Sequence, residues 1–185
     1  MGNIMRELRA PLMLTTCILC LVPAIAAAQR RHHDPLTGPE IEKIRSAGID
    51  ANERIKLYTE FVGHHMEMIV ALSKRIPSVK RDQKIDRTLQ DLSSLIDELG
   101  SNLDQYGDRK ADMRSSLKSL AKSSPRWLAE LKAIQPAPTY RLSLEDATDA
   151  EKDLVDQSTE MFKDQTTYFK LHKDQRGQQR YEPND

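Results

Sequence analysis

The chain has 185 residues with 28 basic and 28 acidic side chains, a formal charge of zero, and 38% of its residues are hydrophobic. That balance supplies no general attraction to nucleic acid or to an anionic membrane surface. Both cysteines, Cys17 and Cys20, fall within the first 28 residues, so the remainder has no disulfide, no thiolate nucleophile and no Cys-ligated zinc, haem or iron–sulfur cluster.

The chain opens on a charged start with Arg6 and Arg9, continues as an apolar run over residues 11–25 and closes on Ala26, Ala27 and Ala28. These are the parts of a secretory signal peptide. Residues 1–28 are therefore expected to be cleaved after Ala28, leaving a periplasmic or secreted protein. The run is shorter than the roughly 20 apolar residues of a membrane span, and Pro23 interrupts it, which argues against an uncleaved anchor. No integral membrane span is expected after cleavage. Lipid attachment at Cys17 or Cys20 is disfavoured, because Thr16 and Leu19 stand where a lipoprotein signal carries a small residue. Loss of Arg6, Glu7 and Arg9 leaves 26 basic and 27 acidic residues, a charge of −1. The remaining 157 residues are enough for one domain with a core of its own.

Residues 29–36, with Arg30, Arg31, His32, His33 and Pro35, read as a flexible arm. Thr37 and Glu40 have the spacing of a capping box, with Leu36 and Ile41 as its hydrophobic staple, and Gly48 stops the short helix that follows. A second helix starts on Asp50, Ala51, Asn52 and Glu53 and runs to Ile76, where Pro77 ends it. Ile55, Tyr58, Val62, His65, Ile69, Leu72 and Ile76 lie on one of its faces.

The third segment has the most regular spacing. Ile85, Leu89, Leu92, Ile96, Leu99, Leu103, Tyr106, Lys110, Met113, Leu117 and Leu120 alternate steps of four and three, with Lys110 as the one polar member. This predicts a single coiled-coil-like helix about 50 Å long. Gly100 and Gly107 flank its seam, as sites of close helix approach or of a bend. Ser124 and Pro125 then read as a cap and first residue of a short helix carrying Trp127, Leu128, Leu131 and Ile134. Residues 135–139 form a linker. A last helix over residues 143–174 carries the pairs Leu154 and Val155, Met161 and Phe162, Tyr168 and Phe169. No segment alternates as a strand does. The fold class is all-α, an elongated antiparallel helical bundle, with a single helical domain over residues 37–175 and a disordered tail over residues 176–185. Residues 109–132 are mainly basic and residues 145–160 mainly acidic, so the linker is expected to fold the acidic start of the last helix along the basic stretch.

Few motifs carry chemistry. Glu60, His64 and Glu67 share a helix face and offer three ligands for a divalent metal, but a bundle di-metal site repeats Glu-x-x-His on two helices and this chain has no such repeat. The plainer reading is an exposed His64 on a charged face. His65 falls on the apolar stripe, as a hydrogen-bonded core histidine or a pH-sensitive one, and His172 could pair with it as haem ligands, with nothing else in the chain to support a haem. His32 and His33 make a weak metal-binding pair. There is no Gly-x-Ser-x-Gly, His-Glu-x-x-His or phosphate-binding loop, so no enzyme is expected, and no cofactor.

The stretch from Asn52 to Tyr58 with Phe61, and the stretch from Leu95 through Leu99 to Asn102, Leu103, Asp104 and Tyr106, resemble uncharacterised exported all-helical proteins of acidobacterial type. That resemblance implies export and helicity and no activity. Leu36, Thr37, Gly38, Pro39 and Glu40 with Ile44 and Arg45 are similar to the Leu-Thr-x-x-Gln element of small periplasmic envelope-stress chaperones, with Glu in place of Gln and no second copy. The expected function is protein–protein interaction, with itself as a homo-oligomer or with an envelope protein, through an exposed part of the seam from Ile85 to Leu120. The alternatives are a metal- or haem-binding bundle and a holdase-type chaperone.

Overall fold

The computed structural model describes residues 34–179. The expected leader and its cleavage point, His32 and His33, and the last six residues of the expected tail lie outside that range. Among the described residues there are five α-helices, one 3-10 turn and no strand: α1 (Gly38–Ser46), α2 (Ala51–Ser73), α3 (Val79–Asp108), α4 (Arg114–Lys132), α5 (Arg141–Leu171) and the turn Lys173–Gln175. No described helix is long and apolar enough to cross a membrane.

The caps explain where the first three helices begin. Glu40 reaches back to accept from the Thr37 N–H (2.8 Å) and hydroxyl (2.7 Å). Asp50 accepts from the Glu53 N–H (3.1 Å) and Ser78 from the Arg81 N–H (3.3 Å). Gly48 turns the chain between α1 and α2 at φ 59°. α2 stops at Ser73, three residues short of expectation, so Ile76 leaves the stripe and is 88% exposed.

The single long helix expected over residues 85–120 is two helices. α3 ends in a Schellman turn, in which Ala111 N–H donates to the Tyr106 carbonyl (3.0 Å), Lys110 N–H donates to the Gly107 carbonyl (2.9 Å) and Lys110 takes φ 57°. The apolar rhythm runs on because Met113, Leu117 and Leu120 bury the core face of the next helix. Nor does Pro125 start a helix: it lies inside α4, on its exposed side. It withholds one N–H from the helix, but Leu117 and Leu120 before it and Trp127 and Leu131 after it are all buried on the core face.

α2 packs on α3 and α4, and α5 packs on the same two, while α3 and α4 have no close backbone approach and neither do α2 and α5. The helices therefore run around the bundle in the order α2, α3, α5, α4. Tyr58 of α2 donates its hydroxyl to Glu98 of α3, and Leu131 of α4 lies with Leu144 of α5, so the two hairpins are antiparallel. Across hairpins the neighbours are parallel. Asn52 of α2 meets Ser116 at the start of α4 (3.0 Å), and Gly63 further along α2 lies under Trp127. Asp86 of α3 accepts from Ser143 (2.5 Å) of α5, and Gly100 accepts from Gln157 (3.2 Å). The antiparallel bundle expected from the sequence is thus two antiparallel hairpins joined side by side in parallel, with the link from α3 to α4 crossing the diagonal.

A polar network locks that link. The buried Gln165 amide donates to the Ala111 carbonyl (2.9 Å) and accepts from the Met113 N–H (2.9 Å). Asp112 forms a two-pronged pair with Arg114 (2.8 and 2.7 Å) and accepts from the Gly177 N–H (2.9 Å). The Arg114 guanidinium, with these backbone donors, holds the Asp112 carboxyl below the usual range. Residues 176–179, assigned to the tail from sequence, thus lie against this corner, and Gln179 also accepts from the Ala51 N–H (3.1 Å).

Candidate functional site

The seam expected to meet a partner is occupied by the chain itself. Ile85, Leu89, Leu92, Ile96, Leu99, Leu103, Tyr106, Met113, Leu117 and Leu120 are all 5% exposed or less, covered by the bundle's own helices. A heptad seam marks a buried face without saying whether the cover comes from another chain or the same one, and here the hairpins supply it.

The metal candidates are not brought together. Glu60, His64 and Glu67 are exposed on α2 and His65 is buried, and among the described residues no three His, Cys, Asp or Glu side chains gather as ligands. His65 Nδ1 bonds the Phe61 carbonyl of its own helix (3.0 Å). His172 lies at the far end of α5, where its ring stacks on Tyr168 at 4.1 Å and its Nδ1 bonds the Tyr168 carbonyl (2.9 Å).

What the outside of the bundle offers is a groove along the parallel pair α3 and α5. Its larger part is an open cavity of about 820 Å³, and a second of about 480 Å³ continues it, the two sharing Asp104 and Gln157. Two glycines set the closeness of its walls. A Cβ on Gly100 would stand 3.2 Å from Gln157, and one on Gly107 would stand 3.3 Å from Met161. Of the two roles expected for these glycines, close approach is the one they fill. Gln157 spans the groove, donating to the Gly100 carbonyl and to Asp104 (2.7 Å).

The floor is apolar, formed by Ile96, Leu154, Met161 and Tyr168, and the rim carries five carboxylates, Asp97, Asp104, Asp153, Glu160 and Asp164, against Lys110 and Lys163. Partial burial raises the Asp97 carboxyl above its usual range. At one end the Lys110 ammonium sits 5.8 Å over the Tyr168 ring, which also stacks on His172 and meets Phe169 edge-on. The arrangement offers no nucleophile paired with a base. It offers an apolar strip edged by negative charge, suited to a ligand with an apolar face and basic flanks.

A second feature lies inside. Glu151 of α5 is fully buried with neither carboxylate oxygen hydrogen-bonded, and burial alone pushes its carboxyl up to about 8. The antiparallel register of α4 and α5, fixed by Met113 with Gln165 at one end and Leu131 with Leu144 at the other, sets Ser124 at the same level. The Ser124 hydroxyl is likewise buried and unbonded. Glu151 does not stand out in the sequence among the adjacent apolar pairs of the last helix. The signal that marks it is a step of seven through Glu151, Ser158, Gln165 and His172, a polar column beside the apolar one.

No protein-family model, no curated protein and no solved structure matches this chain.

Proposed function

We propose that the protein is an exported, non-enzymatic binding protein that holds a protein partner in the groove between α3 and α5. The partner segment is a basic amphipathic helix, its apolar face on Met161 and Tyr168 and its cationic flanks on the carboxylate rim. The observation that carries this reading is the groove itself, an apolar floor under five carboxylates on rigid helices. Helix-in-groove recognition needs those two elements, anchors for the apolar face and a charged border that sets orientation. Interaction thus moves from the buried seam to the outer side of the same long helix.

The test uses two synthetic helical peptides with the same Leu stripe, one flanked by Lys and one by Glu, titrated into isotope-labelled protein. The basic peptide is expected to shift amides over residues 97–110 and 153–168, and the acidic one to leave them still. An Asp104→Lys, Asp153→Lys variant should weaken the basic peptide at least tenfold. Equal binding of both peptides, or shifts confined to other surfaces, would overturn the reading.

A further inference from the structure

The groove's acidic side is one half of a complementary pair carried by this chain. On α4, Arg114, Lys118, Lys122 and Arg126 recur every fourth residue and point away from the buried positions Leu117, Leu120, Ser124 and Trp127. The last three are exposed or partly so, as is Arg114. On α5, Asp149, Asp153, Asp156 and Glu160 form a ridge opposite the buried Ala147, Glu151, Leu154 and Ser158. At 1.5 Å per residue, residues 114–126 extend about 18 Å and residues 149–160 about 16 Å, so the two ridges match in length.

Within one molecule these ridges do not neutralise each other through the pairs they form. Arg114 pairs with Asp112 just before its helix at 2.7 Å, and Arg126 pairs with Glu130 of its own helix at 3.8 Å. α4 and α5 are neighbours; Arg114 turns to the Phe169 ring of α5 at 4.8 Å, while Lys118, Lys122 and Arg126 lie exposed on the outward side of α4 and the acidic ridge lies exposed on α5. Between the basic side chains the outer face of α4 carries Pro125 and Ala129, both short. A second helix can therefore approach it closely.

We propose that the partner is a second copy of this chain, its α4 basic ridge laid along the α5 acidic ridge at the edge of the groove. This rests on the acidic rim of the groove reading above, which it shares at Asp153 and Glu160; the apolar face of α4 is buried in its own bundle, so the contact is made by charge along the rim. The two surfaces are different patches of one molecule, so the contact is head-to-tail, and it leaves the acidic ridge of one copy and the basic ridge of the other free for the next. Association then grows with concentration into a ring or a chain, and it weakens with salt as exposed charges are screened.

The experiment is sedimentation or light scattering of the purified protein at 25 and 300 mM salt, beside two charge-reversed variants. One carries Lys118→Glu, Lys122→Glu and Arg126→Glu; the other carries Asp149→Lys, Asp153→Lys and Glu160→Lys. The unaltered protein should associate at low salt, with an association constant at least tenfold lower at 300 mM. Each variant alone should be monomeric, and an equimolar mixture of the two should associate again, since each then offers what the other lacks. Circular dichroism confirms that both variants keep their helices. A monomer at low salt throughout the concentration range, or association that survives both reversals, would overturn the second-copy proposal. If the basic peptide still binds the groove in that case, the groove reading stands and only the second-copy contact is wrong; if the peptide fails as well, both fall.

Discussion

The two hairpins have the same helical architecture and opposite interiors. On the core faces of α2 and α3 the buried residues are nearly all apolar, with His65 and Thr88 as exceptions, and both bond carbonyls of their own helices. α4 and α5 bury Ser116, Ser124, Ser143, Glu151, Ser158 and Gln165. Some of these have strong partners, as Gln165 has at the α3–α4 corner, but Glu151 and Ser124 have none. A buried polar group without a partner subtracts from stability, while a bonded one is roughly neutral. The second hairpin is therefore expected to open more readily than the first and to respond more to conditions.

The largest expected effect tests that contrast through pH. The folded-state pKa of Glu151 is raised from 4.5 to about 8. Folding thus keeps its full stability below about pH 4.5 and loses it as pH rises through 8. The loss is on the order of 5 kcal/mol, since each tenfold change in proton affinity between the folded and unfolded chain corresponds to about 1.4 kcal/mol. Chemical denaturation between pH 5 and 9 should show the decline, and Glu151→Gln should flatten it. Asp112, held low by Arg114, acts with the opposite sign, and its contribution is lost towards acid pH.

Next in size, Leu92→Ala in the apolar half should cost about 3 kcal/mol by denaturant melting, as a fully buried leucine leaves a cavity. A loss below about 1 kcal/mol would count against the first hairpin as the one that opens less readily. Gln165→Ala should cost about 2 kcal/mol, because it strands a buried carbonyl at Ala111 and a buried N–H at Met113. Hydrogen exchange should then locate the added opening at the start of α4 rather than in α2. The smallest effect reverses the sign. Ser124→Ala is expected to stabilise by up to about 1 kcal/mol, since the hydroxyl it removes has no partner.

Legibility in the sequence followed the range of each signal. The start of α1 was readable from Thr37 and Glu40, and the core face of α2 from its stripe, because caps and periodicity are set by residues three or four apart. The break at residues 109–113 was hidden by a coincidence of phase, with Met113 and Leu117 resuming the rhythm that Leu103 and Tyr106 had set. Its left-handed residue is Lys110 rather than a glycine, so the usual stop signal was missing. The groove was half legible, in Gly100 and Gly107, but the wall that approaches them comes from α5, more than fifty residues away.

By itself the sequence determined that the chain is helical and which faces are buried, because amphipathic periodicity and capping are local and a helix must hide its apolar stripe somewhere. Only the tertiary structure decided what hides it. A stripe does not name its neighbour. The diagonal crossing from α3 to α4, locked by Gln165 and Asp112, brought α5 beside α3 and closed the seam within one chain. The same crossing enclosed Glu151 without a partner and left the acidic groove, rather than the apolar seam, as the surface turned outward.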